Sequence, residues 1–173
     1  MADIDDICSR VSDRLRWSSP LGKKWQLPIG PGEFGAQRRD YKHTGVDLYT
    51  TEGTTVHAVE AGRIVIHGQF TGPPLDDKWQ PTWAIGIEGS SGVVVYGELY
   101  NNANWKLGEI VEKGDILGYV KPVLKPNQLR LDIPGHSTSM LHLELWERGL
   151  REFKDWEPGL KDPTPYLMKV LCD

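Results

Sequence analysis

The sequence predicts a single, mostly β domain with a central antiparallel sheet and a groove over one face of that sheet. Three observations predict this fold. From residue 41 onward, short runs of β-branched and aliphatic residues follow one another, with glycine-rich turns between them. Neither an internal repeat nor a linker interrupts this pattern. At 173 residues, the chain is also long enough for one domain with a substantial core.

The N-terminal residues are predicted to form a separate short element. Apolar residues at helical spacing, with charges between them, indicate an amphipathic helix within residues 3–16. They are Ile4, Ile7, Val11 and Leu15. Because the turn-forming segment Ser18–Gly22 ends this helix, we divide the chain into an N-terminal helical extension, residues 1–19, and a main domain, residues 20–173. A frayed tail is the alternative interpretation of the extension.

The first half of the main domain contains a predicted pair of strands followed by a long loop. Thr55–Val59 and Arg63–His67 are strand-like runs joined by a turn that contains Gly62. The polar residues 68–82 come next. Loops of this length in compact domains tend to be functional or mobile.

Trp83–Ile87 and Val93–Leu99 predict a hairpin around the turn Glu88–Gly92. Because side chains alternate along a strand, one face of the second strand should carry the odd-numbered residues and the other face the even-numbered ones. The first set is Val93, Val95, Gly97 and Leu99, and the second is Val94, Tyr96 and Glu98.

Two further segments carry residues typical of a metal site. His43 and Asp47 lie four residues apart in a stretch that glycine and valine make a poor helix, and in an extended stretch they project to the same side. Far downstream, the leucines of Met140–Leu145 share one face of a strand while His142 lies on the other. Two imidazoles and a carboxylate with a fourth position open are the arrangement of a catalytic zinc. A buried histidine bonded to Asp47 without metal is the alternative.

Composition bounds the partners. The net charge of −4 and the absence of a basic run make nucleic acid an unexpected partner. Seven tryptophans suit both a core and a site for peptides or sugars. No apolar run reaches the length of a membrane span. The N-terminus lacks the apolar stretch of a signal peptide, which predicts a cytoplasmic protein as the sequence stands; a removed leader and phage-type release are the alternatives.

The two cysteines, Cys8 and Cys172, lie near opposite ends of the chain. Neither has another cysteine or a histidine at metal-ligand spacing. We expect free thiols, with a disulfide that joins the two ends as the alternative.

Taken together, these segments resemble the lysostaphin and LytM family of zinc endopeptidases, which cut peptidoglycan. The resemblance covers about residues 27–168 and depends on six motifs. In chain order they are Phe34–Arg38, His43–Leu48, Gly53–Gly62, Val111–Gly118, Leu141–Glu144 and Asp162–Leu167. The resemblance implies a duplicated hybrid motif, or barrel-sandwich-like, fold and one zinc ion held by His43, Asp47 and His142. It also implies peptidoglycan or a peptide as the substrate.

The sequence departs from the family at both positions that usually carry catalytic imidazoles. Glu98 stands at the one in the central strand, and Met140 at the one in the last strand. A methionine cannot move a proton, but a carboxylate beside a zinc-bound water is the usual general base of other zinc peptidases. We therefore expect Glu98 to act as the base.

Two residues are candidates for stabilising the oxyanion. His136 lies in a loop and Tyr96 in the central strand, with a surface role and a packing role as the respective alternatives. Glu144 is expected to orient His142.

Two other functions fit parts of the sequence. A catalytically degenerate family member would bind peptidoglycan or a protein and cut nothing. A biotinyl-type or lipoyl-type carrier is suggested only by the glycine-rich residues 108–118, which lack a lysine at the tip of a tight hairpin.

Overall fold

The structure is a computed structural model that describes residues 16–125 and 139–172. Within these ranges the chain forms nine strands and one helix. The strands are β1 (Val46–Tyr49), β2 (Thr55–His57), β3 (Gly62–Thr71), β4 (Thr82–Gly89), β5 (Val93–Leu99), β6 (Ile110–Val111), β7 (Ile116–Tyr119), β8 (Met140–Trp146) and β9 (Leu160–Lys161). The helix, α1, spans Thr164–Leu171.

The main sheet is open and antiparallel, which confirms the predicted fold class. Its strand order is β1-β8-β5-β4-β3-β6, and β9 pairs with the free portion of β8. Strands β2 and β7 form a separate two-stranded sheet. Strands β1 and β5 both pair with β8, so the segments predicted to carry the site are neighbours.

The two faces of the main sheet have different partners. Leu141, Leu143 and Leu145 project from β8 into the main core, which also contains residues of β2, β7 and α1. His142 and Glu144 project to the opposite face, as the alternation predicts. One part of that face is covered by the loop of residues 147–159, whose Leu150 packs in a second apolar cluster. The rest of that face carries the polar residues of the site.

Strand β5 departs from regular alternation at Glu98. Ile85 pairs with Tyr96 whereas Trp83 pairs with Leu99, so one extra residue is inserted in β5 as a β-bulge. Glu98 has a φ of 65°, in the left-handed region. As a result Leu99 joins Tyr96 in the main core. Regular alternation is therefore wrong for Leu99 and for Glu98, but the side chain of Glu98 lies on the face of His142, as its expected role as the base requires.

Several predicted boundaries are corrected. Strand β3 continues to Thr71, so the connecting loop spans only residues 72–81. Strand β2 ends at His57, and His43 precedes β1 instead of lying inside a strand. The predicted N-terminal helix within residues 3–16 lies almost wholly outside the described residues. The division of the chain at residue 19 stays a prediction. Trp17, next to that boundary, is buried and stacks on Tyr166 with 4.7 Å between ring centroids.

Two further expectations from the sequence concern the cysteines and membrane-spanning segments. Cys172 is disulfide-bonded, so the expectation of a free thiol is wrong for this residue. The only other cysteine of the chain, Cys8, lies outside the described residues. Within residues 16–125 and 139–172, no helix combines the length and the apolar character needed to span a membrane.

Replacing Gly92 by alanine should destabilise the fold far more than replacing Gly53. A Cβ atom at Gly92 would lie 2.0 Å from the carbonyl oxygen of Trp146, at a φ of 138°. Relief of that clash would separate β5 from β8. We expect Gly92→Ala to lower the free energy of unfolding by about 3 kcal/mol or more, as measured by urea denaturation.

Gly53→Ala is the matched control. Gly53 also has a positive φ, 76°, but open space surrounds the position of an added Cβ. Its replacement should therefore lower the free energy of unfolding by only about 1 kcal/mol, through backbone strain. Equal losses in the two variants would contradict the close approach at Gly92.

Candidate metal centre

The side chains of the three predicted ligands meet near the start of β8. His43 Nε2 lies 3.1 Å from Asp47 Oδ1 and 3.2 Å from His142 Nδ1, and His142 Nδ1 lies 2.8 Å from Asp47 Oδ1. All three side chains are buried. Within the described residues they form the one group of histidine, cysteine or carboxylate side chains close enough to share a metal ion.

The three donor atoms fit a zinc ion. Two nitrogens and one carboxylate oxygen are donors that zinc accepts, and bonds of about 2.0–2.1 Å in a tetrahedron place neighbouring donors about 3.3 Å apart. The observed separations of 2.8–3.2 Å are slightly shorter than this. A small outward movement of the side chains would therefore accommodate the ion.

His43 is oriented by the backbone. Its Nδ1 lies 2.8 Å from the carbonyl oxygen of Glu33, and a carbonyl only accepts, so Nδ1 carries the hydrogen. That tautomer leaves the lone pair of Nε2 directed at Asp47 and His142. The backbone N–H of His43 also donates to the carbonyl of Ala36, which fixes the segment before β1.

His142 is oriented by Glu144, as the sequence predicts. Its Nε2 donates to Glu144 Oε1 at 3.0 Å, which leaves Nδ1 facing the other ligands. Two more donors hold the Glu144 carboxylate: Thr44 Oγ1 at 2.6 Å from Oε1, and Trp146 Nε1 at 2.7 Å from Oε2. The buried carboxylate of Glu144 is thus fully used in positioning one imidazole.

Asp47 is held on its far side by Arg38. Arg38 Nη2 donates to Asp47 Oδ2 at 2.7 Å, while Oδ1 faces the two histidines. The backbone N–H of Asp47 donates to the carbonyl of Gly32, and the residue pairs with His142 across β1 and β8. Each of the three ligands therefore has one partner that fixes its orientation.

The electrostatics of the centre favour a cation. Burial opposes the ionised form of Asp47, but the hydrogen bond from His142 lowers its pKa below the usual range. Burial likewise opposes a charged His142, but Asp47 and Glu144 together raise the pKa of this histidine to about 10. Without a metal, an imidazolium between two carboxylates supplies the positive charge. A divalent cation would replace that proton.

Glu98 lies on the same face as the three ligands. Thr82 Oγ1 donates to Glu98 Oε2 at 2.7 Å, and Thr71 Oγ1 lies 3.3 Å from the same oxygen. The other oxygen, Oε1, has no hydrogen-bond partner within residues 16–125 and 139–172. Burial raises the pKa of Glu98 to about 7, against the hydrogen bond from Thr82 and the charge of His142.

Phe70 forms an apolar wall beside the centre. Its ring lies 5.5 Å from that of His142 and packs edge-on against Phe153 of the loop 147–159. Gly97 is directly beneath it, because a Cβ there would lie 2.7 Å from the ring. A phenyl ring at this place keeps water from part of the space around Glu98 and His142.

Two other predicted site residues are not part of this arrangement. The side chain of Tyr96 is fully buried in the main core, on the opposite side of the sheet from His142, and its hydroxyl accepts the N–H of Val59. The packing role is the one observed, because regular alternation holds up to this point of β5. His136 lies outside the described residues. Met140 begins β8, opposite Tyr49.

The sequence interpretation missed the partners that surround the ligands. In the sequence Arg38 is only the end of a motif, and its contact with Asp47 depends on a turn that brings the two together. Thr71 and Thr82 stand at the two ends of the loop 72–81, and their hydroxyls meet 2.6 Å apart. Phe70 falls within the loop predicted from the sequence for residues 68–82. A strand-like run that continued past His67 was the one available signal.

Comparison with known proteins assigns this arrangement to a family. The sequence profile described as Peptidase family M23 matches residues 41–152, which is well over half of the chain. No protein of curated function matches the chain.

Solved structures share the fold. The catalytic domain of the antimicrobial peptidase lysostaphin from Staphylococcus simulans superposes with a TM-score of 0.55 at 22% identity, over 83% of this chain and 92% of that one. CbpA from L. salivarius REN gives 0.58 at 20% identity, over 92% and 99%. Helicobacter pylori Csd3 gives 0.51 at 17% identity and 91% coverage of this chain, which spans only 40% of Csd3. At these identities the likeness is one of fold.

Glu98→Gln should stabilise the metal-free protein at pH 8 and change its stability little at pH 4. The folded-state pKa of about 7 lies above the value of the unfolded chain, near 4.3. Between these values the folded state keeps a proton that the unfolded state has lost, so the stability linked to Glu98 is present below about pH 4 and lost as the pH rises through 7. The loss is on the order of 3 kcal/mol, and glutamine does not incur it.

Urea denaturation in the presence of a chelator, at pH 4, 6 and 8, measures this effect. The difference in free energy of unfolding between Glu98→Gln and the wild type should grow with pH. The same substitution at the exposed Glu112 is the control and should give a constant difference. Parallel pH profiles for wild type and Glu98→Gln would contradict the buried, proton-binding state of Glu98.

Proposed function

The chain belongs to peptidase family M23, and from this membership we propose that it is a zinc-dependent endopeptidase that hydrolyses peptide bonds of peptidoglycan. His43, Asp47 and His142 would hold the zinc ion, and Glu98 would be the general base. The observation that carries the proposal is the position of Glu98: a buried carboxylate on the ligand face, with one oxygen fixed and the other without a partner among the described residues.

Zinc, when bound, acidifies a coordinated water and polarises the scissile carbonyl. The carbonyl of Glu33 and the side chains of Glu144 and Arg38 fix the orientation of the three ligands. Because these partners bond to the ligands from outside the centre, room remains inside it for the water and the scissile carbonyl. The donors that zinc needs are thus present before it binds.

Glu98 supplies the proton transfer. Its Oε2 is anchored by Thr82, so Oε1 is the oxygen that would take the proton from the attacking water and return it to the leaving amine. A pKa of about 7 suits both steps near neutral pH, and a nearby cation would shift it downward, toward the form that accepts a proton. Phe70 would provide an apolar wall on the side of His142.

Peptidoglycan as the substrate is supported by the resemblance of the chain to wall-cleaving endopeptidases and by its fold neighbour, lysostaphin, an antimicrobial peptidase. This substrate would require the protein to act outside the cytoplasm, by export or by phage-type release. Cys172 is disulfide-bonded, which fits an oxidising compartment.

A catalytically degenerate binding module is the second candidate. The observation that favours it is Met140, which stands where the family usually has a catalytic imidazole and cannot stabilise an oxyanion. In that case the metal centre would organise the groove, and peptidoglycan or a protein would bind without being cut.

His43→Ala should abolish stoichiometric zinc. The variant removes one of three donors and leaves Asp47 and His142 as the only described ligands. Elemental analysis of the purified protein after exposure to zinc should fall from about one zinc per chain to near zero. His57→Ala is the control, because His57 bonds to the carbonyl of Gly114, away from the centre. Undiminished zinc in His43→Ala would refute the ligand set.

Glu98→Gln should retain zinc and lower hydrolysis of a cross-linked muropeptide by about two orders of magnitude or more, the usual scale for the loss of a general base. Glu112→Gln, the same change at an exposed position, should leave the rate unchanged. Product release is followed by chromatography.

The other possible results of this experiment would point to a different function or to a different catalytic base. If wild type and Glu98→Gln are equally inert on every wall substrate, the protein is the binding module. If activity survives Glu98→Gln but is lost in His136→Ala, His136 is the base and the assignment of Glu98 is wrong.

A further inference from the structure

We propose that Arg38 is a positioning residue that restricts Asp47 to one metal-binding oxygen and so keeps a coordination position open. The inference rests on the zinc site proposed above and adds a residue whose role was not assigned. It concerns how many bonds the protein makes to the metal, which decides whether a substrate or water can bind there.

The two oxygens of Asp47 have separate roles. Oδ1 lies 3.1 Å from His43 Nε2 and 2.8 Å from His142 Nδ1, so it belongs to the group of ligand atoms. Oδ2 accepts a hydrogen bond from Arg38 Nη2 at 2.7 Å. The charge-assisted bond uses the oxygen that would otherwise be available as a second donor to the same ion.

Arg38 is itself fixed in place. Nη2 also donates to the carbonyl of Pro31 at 2.8 Å, and the backbone N–H of Arg38 donates to the carbonyl of Tyr41. Gln37 and Lys42 form a bridge that closes this turn immediately before His43. Because the guanidinium is also bonded to the carbonyl of Pro31, its position does not depend on Asp47 alone, and rotation of the Asp47 carboxylate would break their contact.

Removal of Arg38 would leave Oδ2 buried without a partner. The side chain of Asp47 is only 5% exposed, so water would satisfy that oxygen poorly. An unsatisfied buried carboxylate oxygen costs more than a typical neutral group. Rotation of the carboxylate toward the cation would relieve this cost, and Asp47 would then bind through both oxygens and occupy or crowd the open position.

Cobalt(II) provides the test, because its visible absorption is intense in four-coordinate sites and weaker in five-coordinate ones. We expect cobalt-loaded Arg38→Met to bind about one equivalent of metal but to show absorption per bound cobalt about twofold or more below the wild type. Arg38→Lys retains a cation near Oδ2 and should restore most of the wild-type spectrum. Arg39→Met is the matched control, since Arg39 is the exposed neighbour in the same turn.

Each outcome bears on the inference. An unchanged spectrum in a cobalt-loaded Arg38→Met overturns it while the zinc site stands. Loss of cobalt together with loss of fold in Arg38→Met, followed by a wild-type spectrum in the milder variant Arg38→Gln, also overturns it and leaves a purely structural role. Failure of the wild type to take up cobalt or zinc overturns the proposed function and this inference with it.

Discussion

The register of β8 between β1 and β5 is the constraint on which the site depends. Asp47 lies opposite His142 on one side, and Gly97 lies opposite His142 on the other. Because side chains alternate, a slip of one residue would turn His142 into the core and Leu143 into the groove. The three leucines of β8, all fully buried, make such a slip prohibitive. The hydrophobic face of the strand thus fixes the geometry of its polar face.

Around Asp47 and His142, the protein buries several charged side chains, and each of them has a bonding partner. Asp47 has Arg38, Glu144 has Thr44 and Trp146, and His142 bridges the two carboxylates. Buried polar groups are costly when unpaired, so these contacts are needed for stability as well as for orientation. The same contacts leave three donor atoms facing one another. A centre arranged this way could accept a cation with only a small outward movement of the three ligands.

Alternation and motif spacing predicted the sheet, the separation of leucines from His142, and the meeting of His43 with Asp47. Alternation and motif spacing did not predict the features whose cause lies outside the local sequence. A glycine inside a strand is a weak signal for a bulge, and nothing in the sequence beside Gly97 indicates that Glu98 adopts a positive φ. The contact of Arg38 with Asp47 depends on the turn of residues 37–42, which a bridge between Gln37 and Lys42 closes. Pairwise contacts of this kind cannot be derived from periodicity.

The bulge at Glu98 explains how a carboxylate came to stand in the site. On a regular strand Glu98 would share the face of Tyr96 and enter the main core, where an ionised carboxylate costs several kcal/mol. A positive φ at a non-glycine residue costs about 1–2 kcal/mol, which is less. The strained conformation is held by Thr82 on the side chain and by the N–H of Lys121, which donates to the carbonyl of Glu98. Strain that the surroundings maintain in this way is typical of functional positions, and here it places the side chain of Glu98 on the face of the ligands.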